Sequence, residues 1–200
     1  MYKLFKRFTD ILIAAMGLIV LFPLLVIVAI AIRLESKGPT IFKQYRLGLD
    51  GKPFLLYKFR SMVVDAEKSG VYEQKGDPRV TKVGSFIRKT SIDEFPQFIN
   101  IIKGDMSIIG PRPTLTYHPW PYEDYSQEQK KRFEVRPGVT GWAQVNGRKE
   151  VEWNRRIEYD VEYVNNLSLK LDLKILYKTI YKVFTMQDNV NIGETASKKN

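Results

Sequence analysis

Two adjacent carboxylates, Asp93 and Glu94, stand among basic residues, with Arg88 and Lys89 just upstream. Paired oxygen donors can hold a hard divalent cation, and an aspartate can attack phosphorus as a covalent nucleophile. The same residues also fit a plainer role. Ser91-Ile92-Asp93-Glu94 matches the capping-box pattern at a helix start, where acidic side chains are favoured by the helix dipole. A second candidate is Gly110-Pro111-Arg112-Pro113. Pro111 and Pro113 stiffen the backbone on either side of one guanidinium, which would aim Arg112 at a phosphate with little ordering cost; a rigid turn with a surface arginine would read the same way. A third runs from Arg136 through Gly138, Thr140 and Gly141 to Asn146, Gly147 and Arg148. Its glycines let backbone N–H groups approach an anion and its arginines supply charge, although two turns joining short strands need the same residues. Lys58-Phe59-Arg60-Ser61-Met62 is a basic, aromatic run that would serve equally as an edge strand.

Composition narrows the chemistry. The chain has 200 residues, enough for one domain and at most an anchor, and 44% are hydrophobic. The absence of cysteine removes disulfides, thiolate zinc sites and thiol nucleophiles. A serine–histidine–acid triad would have to run through His118, the single histidine, which lies in an aromatic, proline-rich stretch. Neither a P-loop nor a G-x-G-x-x-G run is present. A formal net charge of +10 points to an acidic partner: nucleic acid, anionic lipid or a phosphorylated substrate.

The elements that must position these residues begin with an apolar segment. Residues 11–32 contain no charged side chain, and about 20 apolar residues suffice to cross a hydrocarbon core. The run is longer than the apolar part of a signal peptide and lacks a small-residue cleavage site after it. Pro23 at its middle predicts a kink. Lys3, Lys6 and Arg7 precede it, and Arg33, Lys37, Lys43 and Arg46 follow it. Basic residues collect on the cytoplasmic side, so two basic flanks predict a bent, re-entrant hairpin; a single kinked span is the alternative.

Beyond Gly38 the pattern predicts a small α+β domain. Strands over 40–45 and 53–60 flank a turn containing Asp50-Gly51. Residues 65–80 form a loop, and Thr81 to Lys89 a short helix. A further helix over 91–103 carries Phe95, Phe98, Ile99 and Ile102 on one face. Residues 110–121 show no periodicity, 126–134 suggest a polar helix, and 136–148 turns around a short strand. Helices follow over 152–165 and 169–185. In the last, Lys170, Lys174, Lys178 and Lys182 oppose Leu169, Leu173, Leu176, Ile180, Val183 and Phe184. Such a helix suits an anionic membrane surface or a core-packed position with a solvated lysine face.

Taken together, the chain resembles the monotopic phosphoglycosyl transferases, or bacterial sugar transferases. The match includes the proline-broken segment, Y-K-F-R-S-M at 57–62, R-K-T-S-I-D-E-F-P-Q at 88–97, K-G-D-M-S-I-I-G-P-R-P at 103–113 and R-P-G-V-T-G-W-A-Q-V-N-G-R at 136–148. The resemblance implies a mostly helical α+β protein in its minimal form. Residues 1–37 would be the re-entrant helix and its flanks, 38–187 a cytoplasmic catalytic domain with amphipathic interfacial helices, and 188–200 a polar tail. It implies transfer of a sugar 1-phosphate from a UDP-sugar to a polyprenol phosphate at the bacterial inner membrane, the first membrane step of glycan assembly, with release of UMP. Asp93 would form the covalent sugar-phosphate intermediate of a ping-pong reaction, with Glu94 its partner and Mg²⁺ held by both. Arg88, Arg112, Arg148 and Lys58 would bind phosphate, while Pro111, Pro113, Arg136, Gly138, Thr140 and Asn146 lie in loops that would surround the nucleotide sugar. The partners implied are the UDP-sugar, the polyprenol phosphate and phospholipid, with no nucleic acid, and a homodimer is compatible with them. One departure stands out: relatives commonly carry serine before the breaking proline, and this chain has Phe22-Pro23. The competing class, a membrane-anchored basic module that recruits nucleic acid, would show affinity falling steeply with salt.

Overall fold

The computed structural model describes residues 2–66, 70, 76–147 and 152–185. Helix α1 spans Tyr2–Glu35 and contains Pro23. Two strands follow, β1 (Ile41–Leu47) and β2 (Pro53–Phe59), paired antiparallel with Phe42 opposite Lys58 and Arg46 opposite Phe54. The hairpin turn uses left-handed backbone at Asp50 (φ 55°) and Gly51 (φ 71°), a conformation that suits an Asp-Gly pair. Helix α2 (Lys82–Lys89) is capped by Thr81, whose hydroxyl accepts from Gly84 N. A 3-10 turn (Ile92–Glu94) leads into α3 (Gln97–Lys103). Strand β3 (Ser107–Ile109) pairs in parallel with β4 (Gly138–Thr140). Between them lies α4 (Gln127–Lys130), which carries a full capping box at Ser126. Helices α5 (Trp142–Gly147), α6 (Trp153–Asn165) and α7 (Leu169–Phe184) complete the domain. Ile109, Trp142, Val145, Tyr163 and Ile175 form its C-terminal core.

The hairpin, α2, α6 and α7 stand where the sequence pattern places them. Three features differ. Residues 91–103 are not one helix: Ser91 is left-handed (φ 58°) and its hydroxyl caps nothing, so the capping-box reading of Ser91 to Glu94 fails. The segment around 142–147 is a helix rather than turns. On α3 the expected apolar face is divided, with Phe98 packed against Ala14 and Ile101. Gln97, Asn100 and Ile101 are buried while Ile99 and Ile102 are exposed. Asn100 turns the polar side of α3 inward, because its amide accepts from Tyr57 N at 3.0 Å and donates to Leu55 O at 2.8 Å, tying α3 to β2. Likewise α7 buries Asp172 and Ile175 and exposes Leu169, Leu173, Ile180 and Val183. Its leucine stripe is therefore not a core stripe, and Lys174 and Lys178 instead lie over the ring of Trp142. Arg148 and the tail 188–200 lie outside the described residues.

Among the described residues α1 is the one helix long and apolar enough to cross a membrane, and its middle is bare: Ile19, Val20 and Phe22 are 75%, 73% and 64% exposed. Its backbone stays helical through Pro23. The helix also begins well before the apolar segment, and its first turns are fastened by polar side chains. Arg7 donates to Ile101 O at 2.8 Å, Asp10 accepts from Ser107 Oγ at 2.6 Å, and Lys6 and the Tyr2 hydroxyl both reach Asp172. Ala14 is fully buried against Ile101 and Met106. At the other end Val28 and Ile32 pack on Phe59 and Ile87. Glu35 accepts from Lys82 N at 2.7 Å and Val83 N at 2.9 Å, capping α2. Arg60 donates to Ser36 O and Lys37 O at 2.7 and 2.8 Å. Both ends of the apolar stretch are thus held by one domain.

Removing the Glu35 cap tests that clasp. Glu35→Ala in the membrane-reconstituted protein is expected to lower the melting temperature by roughly 2–4 °C, the equivalent of a cap worth about 1 kcal/mol. An unchanged melt would mean that Glu35 contributes nothing to the end of α1.

Candidate active site

The abrupt left-handed residue at Ser91 ends α2 and swings the next turn inward, so that Asp93 is buried and Glu94 faces strand β2. From β2, Lys58 Nζ meets Glu94 Oε1 at 2.7 Å. Arg112 Nη2 meets the same oxygen at 3.0 Å. One carboxylate oxygen therefore gathers two cations from elements distant in sequence. Arg88, on the last turn of α2, donates from Nε to Ser61 Oγ at 2.7 Å, and its charge acts on Asp93.

The two carboxylates differ. Burial pushes the Asp93 carboxyl up, and the Glu94 charge beside it adds to the rise, against the pull of Lys58, Arg88 and Arg112. Burial also works against the Glu94 charge, yet its bonds to Lys58 and Arg112 hold that carboxyl well below the usual range. Burial draws the Lys58 ammonium down, opposed by Glu94 and reinforced by the nearby Arg112. Among the described residues Asp93 accepts no hydrogen bond. Glu94 is a locked ion; Asp93 is a more basic carboxylate with its oxygens uncommitted. Two adjacent carboxylates fit a hard divalent cation, which usually takes one or two protein carboxylates and completes its shell with waters and substrate phosphates. No cluster of three or more acidic, histidine or cysteine side chains occurs among the described residues.

The proline-flanked arginine is held with unusual completeness. Four successive carbonyls of its loop each accept from another part of the chain: Pro111 O from Gly138 N at 2.9 Å, Arg112 O from Arg132 Nη2 at 3.0 Å, and, both from strand β1, Pro113 O from Arg46 Nη1 at 3.2 Å and Thr114 O from Leu47 N at 2.9 Å. Arg132 is itself buried and paired with Asp160 at 2.7 Å. Gly138 has a backbone reason for being glycine, since a Cβ there would collide with Gly110 N.

The structure thus brings Lys58, Asp93, Glu94 and Arg112 together, with Arg88 in range. The remaining loop residues are bonded elsewhere: Arg136 Nε to Gly104 O at 2.7 Å, Thr140 Oγ1 to Thr179 Oγ1 at 2.7 Å, and Asn146 to Trp142 O and Lys178 Nζ. Pro111 and Pro113 flank the aimed guanidinium. Sequence reasoning missed Arg46, Ser61 and the Arg132–Asp160 pair. No local signal marks them, because each acts across 20 or more residues, apart from the position of Arg46 on the alternating face of β1 that leads to Lys58.

A family model described as bacterial sugar transferase matches residues 1–186. The chain is 45% identical over 188 residues to the UDP-glucose:undecaprenyl-phosphate glucose-1-phosphate transferase of Escherichia coli (strain K12), covering 91% of this chain and 40% of that one. It is 47% identical over 184 residues to an uncharacterized sugar transferase of Bacillus subtilis (strain 168), covering 91% of this chain and 88% of that one. It is 44% identical over 188 residues to the UDP-N-acetylgalactosamine-undecaprenyl-phosphate N-acetylgalactosaminephosphotransferase of Aeromonas hydrophila, covering 92% and 44%. The chain spans about 40% of the length of the Escherichia coli relative and 44% of the Aeromonas one.

The unequal carboxylates predict stability changes of opposite sign. Asp93, with its pKa raised, is costly to ionise in the folded protein, so Asp93→Asn should melt at or above the wild-type temperature at pH 7, the difference closing as pH falls and Asp93 protonates. Glu94, with its pKa depressed, contributes stability above the usual carboxylate range that is lost on acidification. Glu94→Gln should therefore melt lower at pH 7. Melting curves of both variants from pH 4 to 8 check this, and a lower melt for Asp93→Asn at pH 7 would contradict it.

Proposed function

This chain belongs to the bacterial sugar transferase family, and from that premise we propose that it transfers a sugar 1-phosphate from a UDP-sugar to undecaprenyl phosphate with release of UMP. The relatives' names carry this reaction class. The observation that supports it most directly is the pairing of a buried, uncommitted Asp93 with a Glu94 locked between Lys58 and Arg112.

The reaction proceeds in two displacements. The ionised Asp93 carboxylate attacks the β-phosphorus of the donor. The new Asp93 O–P bond forms as the bond from that phosphorus to the bridging oxygen breaks, and UMP leaves with the bridging oxygen and its electron pair. The phosphate oxygen of the lipid then attacks the same phosphorus, the Asp93 O–P bond breaks, and the carboxylate is restored. A soluble donor and a lipid acceptor thereby use one nucleophile in turn. Lys58 and Arg112 place positive charge where an anionic nucleophile meets an anionic phosphate. Glu94 keeps both cations in place. Mg²⁺ held by Asp93 and Glu94 would neutralise charge on the diphosphate. Burial raises the basicity of Asp93 and with it the nucleophilic strength of the ionised form, and the first displacement should slow as pH falls through its raised pKa.

The ends of α1 support a membrane arrangement in which the helix returns to the side it entered from. Arg7, Asp10, Glu35 and the Arg60 clasp are charged groups that must stay out of hydrocarbon, and all belong to one domain. A helix entering and returning on that domain's side, bent at Pro23, satisfies them; the bend also suits a segment whose basic flanks both favour the cytoplasmic face. The exposed apolar faces of α3 and α7 then lie against the same surface as the bare middle of α1.

Two measurements test the reading. With UDP-sugar and Mg²⁺ but no lipid acceptor, intact-protein mass spectrometry should show a sugar-phosphate adduct and free UMP; an adduct persisting in Asp93→Asn would overturn the nucleophile. The chain has no native cysteine, so Lys3→Cys and Lys37→Cys can be labelled from each side of the membrane. Both should react from the cytoplasmic side, and labelling from opposite sides would rule out the returning helix.

A further inference from the structure

Among the described residues Arg46 is a half-buried cation near the dyad with no carboxylate in ion-pair contact. On the antiparallel hairpin, directly paired residues project to the same face. Lys58 opposite Phe42 therefore shares a face with Gln44 and Arg46, two and four residues along β1. Arg46 is thus carried toward the side from which Lys58 reaches Glu94. Its Nη2 donates to Gln44 Oε1 at 2.5 Å and its Nη1 to Pro113 O at 3.2 Å, next to Arg112, while its buried Nε has no partner. Among the described residues no carboxylate lies within ion-pair distance. The contrast with its neighbours is direct: Lys58 and Arg112 are both answered by Glu94, and Arg132 by Asp160. Burial, with the Arg112 charge adding to it, lowers the Arg46 guanidinium to about 10, and Glu94 is within range of its field.

A buried cation with an orphan donor is costly unless an anion compensates it. Glu94 is already shared by two cations, so the protein supplies no such anion here. We propose that Arg46 is a further binding residue for the diphosphate of the nucleotide donor, acting beside Arg112. The proposal rests on the donor-binding role given above to the Lys58–Glu94–Arg112 cluster. Gln44 serves as a positioning residue: its amide oxygen holds Nη2, while the buried Nε keeps an unpaired donor. A diphosphate carries enough negative charge to engage Arg46 and Arg112 together, and a planar guanidinium suits phosphate oxygens better than an ammonium would.

Binding rather than turnover provides the test. UDP and uridine are titrated into the full chain in lipid nanodiscs by calorimetry, for wild type, Arg46→Gln and Arg46→Lys. In Arg46→Gln the affinity for UDP should fall about tenfold or more, as expected for loss of a charge-assisted phosphate contact, while the response to uridine is unchanged. Arg46→Lys should recover part of the loss. UDP binding equal to wild type in Arg46→Gln would overturn the proposal. So would equal losses for UDP and uridine, or a lysine variant as impaired as the glutamine one with Pro113 displaced, since those results mark a brace for the loop. Should Arg46→Gln fail to fold, Arg46→Lys alone decides, because a retained charge must keep UDP binding selectively above that of a Gln44→Ala control that frees the side chain. A wild type that binds UDP through Arg46 but forms no adduct and releases no UMP would refute the transfer reaction and leave this inference standing.

Discussion

A single oxygen, Glu94 Oε1, is shared by Lys58 from the hairpin and Arg112 from a proline-stiffened loop. Lys58 could not stay largely buried there without it, Arg112 reaches it from a more exposed position, and without both cations the Glu94 charge would be as unfavourable as any carboxylate taken from water. The three-way contact also fixes what Asp93 can do. With Glu94 absorbing the nearest positive charge, Asp93 remains buried, raised in basicity and without a hydrogen bond among the described residues. The electrostatic division of labour between two adjacent carboxylates arises from one contact geometry, and the surrounding chain serves to keep that geometry still.

The support is layered. Ser91 in its left-handed conformation turns the acidic pair inward. Asn100, fully buried, laces α3 to β2 so that Lys58 is held at a constant depth. The four anchored carbonyls from Pro111 to Thr114 leave the Arg112 side chain as the adjustable part of its loop. The Arg132–Asp160 pair sits behind it. Buried ion pairs add little net stability compared with apolar packing, and here the pair has a second use, since Arg132 donates to the Arg112 carbonyl.

The apolar surface is organised around the same centre. Helix α1 touches α3 and β3 near its start and α2 and β2 near its end, and these are the elements that carry or adjoin the dyad. Gly17 allows the ring of Phe98 to approach the helix, because a Cβ there would clash with it. Ile99, Ile102 and, on α7, Leu169, Leu173 and Leu176 are exposed on elements that would ordinarily bury them. For a protein in water this would be a liability; under the proposed membrane arrangement these residues would meet the same hydrocarbon as the bare middle of α1.

The elements with a strong local period, namely the hairpin and helices α1, α2, α6 and α7, were legible from residues alone, because alternation and helical spacing are properties of neighbours in the chain. So were Asp93, Glu94, Lys58 and Arg112 as candidates, since carboxylates beside arginines on stiff backbone are unusual enough to notice. What residues alone could not decide was direction. The period of α3 and α7 identified apolar positions but left open, for α7, whether they met a core or a membrane surface, and only the packing of Asn100 and Ile175 showed Ile99, Ile102 and Leu173 to be outside. The capping-box pattern at Ser91 was chemically sound, and it failed because Lys58 and Arg112, 36 and 18 residues away, compete for the same glutamate. The strand β3 was too short to carry a period and exists because β4 pairs with it. Amino-acid type and spacing determined which groups could do chemistry and how much of the chain is apolar. Tertiary contacts across tens of residues decided which carboxylate is bound, which is free, and where the apolar faces point, because those outcomes depend on partners that no local window contains.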